Sequence, residues 1–113
     1  MSTLRSRADF ARIETMGSTR ADRLLVVRYV PNDLGHERFA ISTGRRLGGA
    51  VQRNRVRRRI RETLRQIAPH DGPGRDILIV ARPASASASF AELRAALERH
   101  LHAVRTGSVR GAS

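Results

Sequence analysis

The stretch Gly48–Ile67 reads GGAVQRNRVRRRIRETLRQI, and it holds Arg53, Arg55, Arg57, Arg58, Arg59, Arg61 and Arg65 with Glu62 as its only acid. On a helical wheel Val56, Ile60, Leu64 and Ile67 fall within about 80° of one another, and Asn54, Arg58, Arg61 and Arg65 lie opposite. The segment therefore reads as a helix with an aliphatic stripe for packing and a cationic outer face. The like-charge pairs 53/57, 55/59, 57/61 and 61/65 each cost about 0.2–0.5 kcal/mol, roughly 1–2 kcal/mol together. Cations in the first turn also oppose the helix dipole. A solvated basic face is the plain alternative, but a surface that repels itself this consistently is relaxed by a bound anion. Gly48 and Gly49 allow close approach to the first free N–H groups, although no Lys-Ser or Lys-Thr follows as a P-loop would require. Asn54 differs in kind, because its amide both donates and accepts. It either reads a base edge, a 2′-hydroxyl or a metal-bound water, or it orients its neighbours.

Outward from the helix, "RFAIST" (Arg38–Thr43) and "LLVVRYV" (Leu24–Val30) are strand candidates separated by the turn signal "PNDLG" at Pro31–Gly35. Downstream, Pro69 and "DGPG" (Asp71–Gly74) stop the helix, and "DILIVAR" (Asp76–Arg82) reads as a buried central strand. A right-handed crossover is the usual geometry for such a strand–helix–strand unit. Leu4–Thr15 makes a short helix before Gly17, its apolar positions being Leu4, Ala8, Phe10, Ile13 and Met16. "PASASAS" (Pro83–Ser89) reads as a low-complexity linker. Ser89-Phe90-Ala91-Glu92 is a capping box, so a last helix starts there, with Phe90, Leu93, Leu97, Leu101 and Val104 as its stripe and Gly107 as its stop. The expected fold is an α/β (α+β) two-layer sandwich, a small mixed sheet with packed helices in the order α-β-β(-β)-α-β-α. Residues 1–107 form one domain and 108–113 a flexible tail.

A net charge of +12 with a sequence pI near 11.9 points to a polyanionic partner. All 22 basic residues are Arg. There is no Cys, which excludes disulfides and thiolate metal sites. No apolar run approaches the roughly 18 residues of a membrane span, and Asp9, Glu14 and Asp22 argue against a transit peptide. A cytoplasmic protein without a membrane partner is expected. His36, His70, His100 and His102 are scattered, so neither a catalytic constellation nor a metal site is expected in the chain itself.

"GGAVQRNRVRRRIRE" resembles the signature of the bacterial ribonuclease P protein component, with its Gly-x-Ala-Val-x-Arg-Asn-Arg start, basic run and closing Arg-Glu. The likeness extends to "FAISTGRR", "DILIVARP" and "RADFARIETMG", and covers roughly Leu4 to Leu101. It implies a left-handed strand–helix–strand crossover in place of the usual hand. It also implies a protein that binds the catalytic ribonuclease P RNA and the 5′ leader of precursor tRNA, and assists Mg²⁺-dependent removal of that leader. The Mg²⁺ would be bound mainly by the RNA, and no protein partner is evident. By the resemblance, Arg45, Arg46, Arg53, Asn54, Arg55, Arg57, Arg58, Arg61 and Arg65 contact RNA, and Phe10, Tyr29 and Arg82 line the leader cleft. The chain departs from the family in carrying Glu14 where a second aromatic is common, and the first-strand aromatic position falls on Tyr29 or, by ungapped counting, on Val27.

A structural RNA-binding protein of ribosomal type without a catalytic partner fits size and charge equally well, and only the Arg-Asn-Arg signature separates the two. No helix-turn-helix pattern surrounds the Arg helix.

Overall fold

The computed structural model describes residues 2–67 and 72–107. A five-stranded sheet runs in the order β1-β4-β5-β3-β2, with β1 at Ser2–Thr3, β2 at Ser18–Ala21, β3 at Leu25–Pro31, β4 at Arg38–Thr43 and β5 at Arg75–Ala81. The helices are α1 (Arg7–Met16), α2 (Ala50–Ile67) and α3 (Phe90–Thr106). β1, β4 and β5 are mutually parallel, whereas β3 is antiparallel to β5 and to β2. The mixed α+β class is the expected one, and β2 is the third early strand. The tail 108–113 and the stop at Pro69 lie outside the described residues.

Alternation along the strands divides the core in two. Leu25 and Val27 of β3, Phe39 of β4, and Ile77, Ile79 and Ala81 of β5 pack under Val56, Ile60 and Leu64 of α2 and Leu93, Leu97 and Leu101 of α3. On the other face Val30, Ala40 and Leu78 meet Leu4, Phe10 and Ile13. α2 and α3 thus form the two-layer sandwich with the sheet, and α1 lies across part of the opposite face.

The crossover β4–α2–β5 is left-handed, and two contacts establish it. Phe39 turns its side chain toward α2, while its carbonyl accepts from Leu4 N–H at 2.8 Å on the β1 side. For an L-residue those two directions place β5 to the left of β4 when the parallel strands point up and are viewed from α2. The right-handed expectation is therefore corrected. A right-handed connection between the same two strands would have put α2 on the face that α1 occupies.

Asp76 docks α1. Its carboxylate is fully buried and accepts from Arg38 Nε (2.9 Å) and Nη2 (2.8 Å), from Asn32 Nδ2 (2.8 Å), and from Arg12 Nη2 of α1 (2.7 Å). Arg38 also reaches Asp9 at 3.2 Å. At the end of α1, a Cβ on Gly17 would sit 2.3 Å from the Ile13 carbonyl, so only glycine lets the chain leave the helix there.

Two local expectations need correction. Residues 83–86 are a tight 3-10 turn with Ser85 fully buried, its hydroxyl donating to the Arg82 carbonyl at 2.6 Å. The small side chains of "PASASAS" let the chain fold down onto the core, where Ala84 and Ala86 pack and Ala88 is buried, so it is no linker. Phe90 does not join the stripe of α3. It is 43% exposed at the first helical position, and the buried stripe begins at Leu93. Met16 is likewise exposed. The capping box itself is formed, Ser89 Oγ accepting from Glu92 N–H and Glu92 Oε1 from Ser89 N–H.

Candidate nucleic-acid interface

The acids of this chain are largely committed to arginines elsewhere in the fold. Asp76 holds Arg38 and Arg12. Glu37, buried, takes both Nε (3.0 Å) and Nη2 (2.6 Å) of Arg105, and Arg75 stands 3.6 Å away. Asp22 accepts from Arg99 at 2.8 Å and from the N–H groups of Leu24 and Leu25. Burial alone would raise the Asp22 pKa, but these donors outweigh it and hold the carboxyl below its ordinary value. On α2 the one acid contact among the described residues is the exposed Glu62–Arg65 pair at 3.9 Å, in place of the Arg58–Glu62 pairing that i,i+4 spacing favours. The outer face of α2 is left almost without internal neutralisation.

That face borders a groove. β1 covers β4 only at Arg38 and Phe39, with Leu4 N–H bonded to the Phe39 carbonyl, so from Ala40 onward the outer edge of β4 has no strand beside it among the described residues. A cavity of about 530 Å³ follows this edge, lined by Leu4, Arg5 and Phe10 on the α1 side and by Arg57, Arg61 and Arg65 from α2. It combines a row of guanidinium groups with the half-buried ring of Phe10, beside the buried Phe39, the pairing that suits a single-stranded polyanion with bases.

Arg57 is fixed in place. Its Nη1 donates to Asn54 Oδ1 at 3.0 Å and its Nη2 to Thr43 Oγ1 at 2.5 Å. The Asn54 carbonyl is thereby used within the protein, which favours the orienting reading of this residue over direct readout by its acceptor. Asn54 is exposed, and its amide N–H₂ can donate independently of that contact.

The predicted site residues fall into separate groups. Phe10, Arg57, Arg61 and Arg65 share the edge groove. Arg45, Arg46 and Arg82 line a second cleft, of about 310 Å³, at the carboxyl ends of β4 and β5. Arg53, half-buried, and the exposed Asn54, Arg55 and Arg58 occupy the rest of the α2 surface. Tyr29 is not with Phe10: it packs against the core on the α2/α3 face, and Val27 is fully buried on that same face. The structure therefore does not gather Phe10, Tyr29 and Arg82 into one cleft. Glu14 is exposed on α1, and its backbone carbonyl accepts from Arg28 Nη2 at 3.2 Å. Sequence reasoning missed Arg5 in the groove and Thr43 as the anchor of Arg57. The parity of β4 carried a signal for Thr43, since it lies on the Phe39 side and hence toward α2.

The model of the family "Ribonuclease P" matches residues 1–105. The ribonuclease P protein component of Roseiflexus castenholzii is 39% identical over 110 residues, which cover 96% of this chain and 88% of that protein. Among solved structures, a mutant RNase P protein of Staphylococcus aureus superposes with a TM-score of 0.84 at 33% identity, covering 91% of this chain and 87% of the other. The RNase P protein of Thermotoga maritima gives 0.79 at 28% identity, covering 89% and 96%.

Proposed function

The chain belongs to the ribonuclease P protein family, and from that premise we propose that it binds the ribonuclease P RNA and the 5′ leader of precursor tRNA, and assists Mg²⁺-dependent removal of the leader. The observation that carries this reading is the edge groove, where Arg57, Arg61 and Arg65 face Phe10 across an open strand edge. Guanidinium groups meet backbone phosphates, and the ring offers a stacking surface that tolerates any base. Arg45, Arg46 and Arg82 extend the cationic track to the ends of β4 and β5.

In this reading the protein positions RNA and the RNA performs the hydrolysis. Among the described residues no group of three or more His, Asp or Glu side chains is arranged to hold a metal ion. Asp22, Glu37 and Asp76 are engaged by arginines. In this reading the Mg²⁺ belongs to the RNA partner, and the described residues of the protein bind and position RNA. Among the described residues no helix is long and apolar enough to cross a membrane.

Reconstitution tests the proposal. The protein is added to a bacterial ribonuclease P RNA, and cleavage of precursor tRNA is followed at low Mg²⁺. Stimulation is expected, and Phe10→Ala should weaken binding of leader-bearing precursor while sparing mature tRNA. Absence of stimulation would favour the structural RNA-binding reading, and equal losses for both tRNAs would remove Phe10 from the leader site.

A further inference from the structure

Phe90 is the large aromatic that the fold fails to bury. At 43% exposure it forgoes a good part of the stabilisation that burial would give, although its helix has a well-packed stripe one turn further on. Above it stands Arg59, whose guanidinium carbon is 6.0 Å from the ring centroid and whose Nη1 donates to the Ala88 carbonyl at 3.4 Å. An open cavity of about 380 Å³ surrounds the exposed side of the ring, lined by Phe90, Ala91, Gln66 and Arg94, with Arg94 donating to the Gln66 side-chain carbonyl.

The place of this platform on α2 is informative. Arg57 and Arg61 flank the helix on the β4 side, where the groove contains Phe10. On the wheel Arg59 and Gln66 lie roughly 160° round from the midpoint of those two, on the side toward α3. The cationic surface of α2 thus has an exposed or half-exposed aromatic ring at each margin, Phe10 at one and Phe90 at the other. An α-helix with side chains is about 10–12 Å across, a distance that two or three nucleotides of extended chain can span.

We infer that Phe90, held beneath Arg59, is a second stacking site for an unpaired nucleobase, so that bound RNA crosses over α2 instead of ending at the groove. The inference rests on the RNA-binding reading above and adds a contact on the α3 side. Charge favours RNA over other occupants. Arg59 stands over the ring and Arg94 lines the cavity beside it, with Glu98, 3.8 Å from Arg94, as the acid paired there. A base can stack on the ring while its phosphates meet the guanidinium groups.

The chain has no Trp, so Phe90→Trp and Phe10→Trp each introduce a single Trp that can be excited apart from Tyr29. Both full-length variants are titrated with a bacterial ribonuclease P RNA, alone and with precursor tRNA. Stacking predicts quenching of the Trp at position 90 that saturates with binding. It also predicts about a tenfold weaker affinity for Phe90→Leu, with the salt slope unchanged because no ion is displaced. Unchanged emission from Phe90→Trp, while Phe10→Trp responds and binding is salt-dependent, overturns the platform and leaves the RNA reading intact. Quenching that depends on protein concentration without RNA also overturns it, by assigning the patch to a second copy of the chain. If neither variant binds RNA, the RNA reading itself has failed and the platform falls with it.

Discussion

Arg38 and Asp76 face each other across two hydrogen bonds, Nε to Oδ1 at 2.9 Å and Nη2 to Oδ2 at 2.8 Å, in a part of the sheet where the carboxylate has no exposure. Burial would raise the Asp76 pKa, but Arg38, Asn32 and Arg12 outweigh it and hold it below the ordinary carboxylate value. The same contact with Asp76 raises the Arg38 pKa. Because Arg12 lies on α1 and Asn32 just beyond β3, this one carboxylate ties helix, turn and two strands together.

Asp76→Asn should therefore destabilise the fold by on the order of 3 kcal/mol, since it leaves the guanidinium groups of Arg12 and Arg38 around a neutral amide, with Asp9 as the carboxylate still beside Arg38. Chemical denaturation measures the loss. Hydrogen exchange should show the amides of α1 opening before those of α3, and an unchanged midpoint would show that Arg38 and Arg12 find solvent without cost.

The cationic face of α2 makes a second expectation. Arg58→Ala, Arg61→Ala and Arg65→Ala should each weaken RNA binding and flatten its salt slope by roughly 0.7–0.9 for every phosphate left without its arginine. The exposed Glu62–Arg65 pair adds little to stability, so thermal midpoints should scarcely move. Unaltered slopes in all three variants would place the phosphates elsewhere.

A double-mutant cycle separates the two readings of Asn54. If it acts by holding Arg57 toward Thr43, Asn54→Ala should cost affinity in the wild type and little more in an Arg57→Ala background. The coupling expected for side chains in contact is about 0.5–3 kcal/mol. Additive losses would show instead that Asn54 touches RNA on its own account.

His100 predicts the acid side of the stability profile. It is 1% exposed, and burial is the main cause that lowers its pKa, only partly offset by Asp22, whose Oδ2 is 3.0 Å from Nε2. Below about pH 6.5 the unfolded chain takes up a proton that the native His100 resists, so stability falls as pH drops through that range and levels off below the native pKa. Thermal midpoints of wild type and His100→Gln between pH 7.5 and 5 check this. The variant should lose the decline in that window, and parallel curves would assign it to other groups.

Much of this was legible in the sequence because it follows from periodicity and local chemistry. Val56, Ile60 and Leu64 sit in the core as their spacing requires, and Ser89 and Glu92 close the box that their separation defines. What was hidden depends on partners distant in the chain. Asp76 looked like the first residue of an apolar strand, and nothing local shows that Arg12 and Arg38 converge on it. The hand of the crossover depends on which face α2 takes, which periodicity does not contain. Phe90 reads as core by its spacing, but at the first helical position it projects past the packed stripe. Tyr29 and Phe10 looked like partners in one cleft until strand parity put them on opposite faces of the sheet.

The short pairing of β1 has a further consequence. A strand edge that no described residue covers beyond Phe39 is a template on which a second copy could add its own strand. Here that edge lies beside Arg57, Arg61 and Arg65, so two molecules approaching edge to edge would bring like charges together. Under the proposed function the same arginines would also act as gatekeepers, keeping the edges of the free protein apart until a bound polyanion neutralises them.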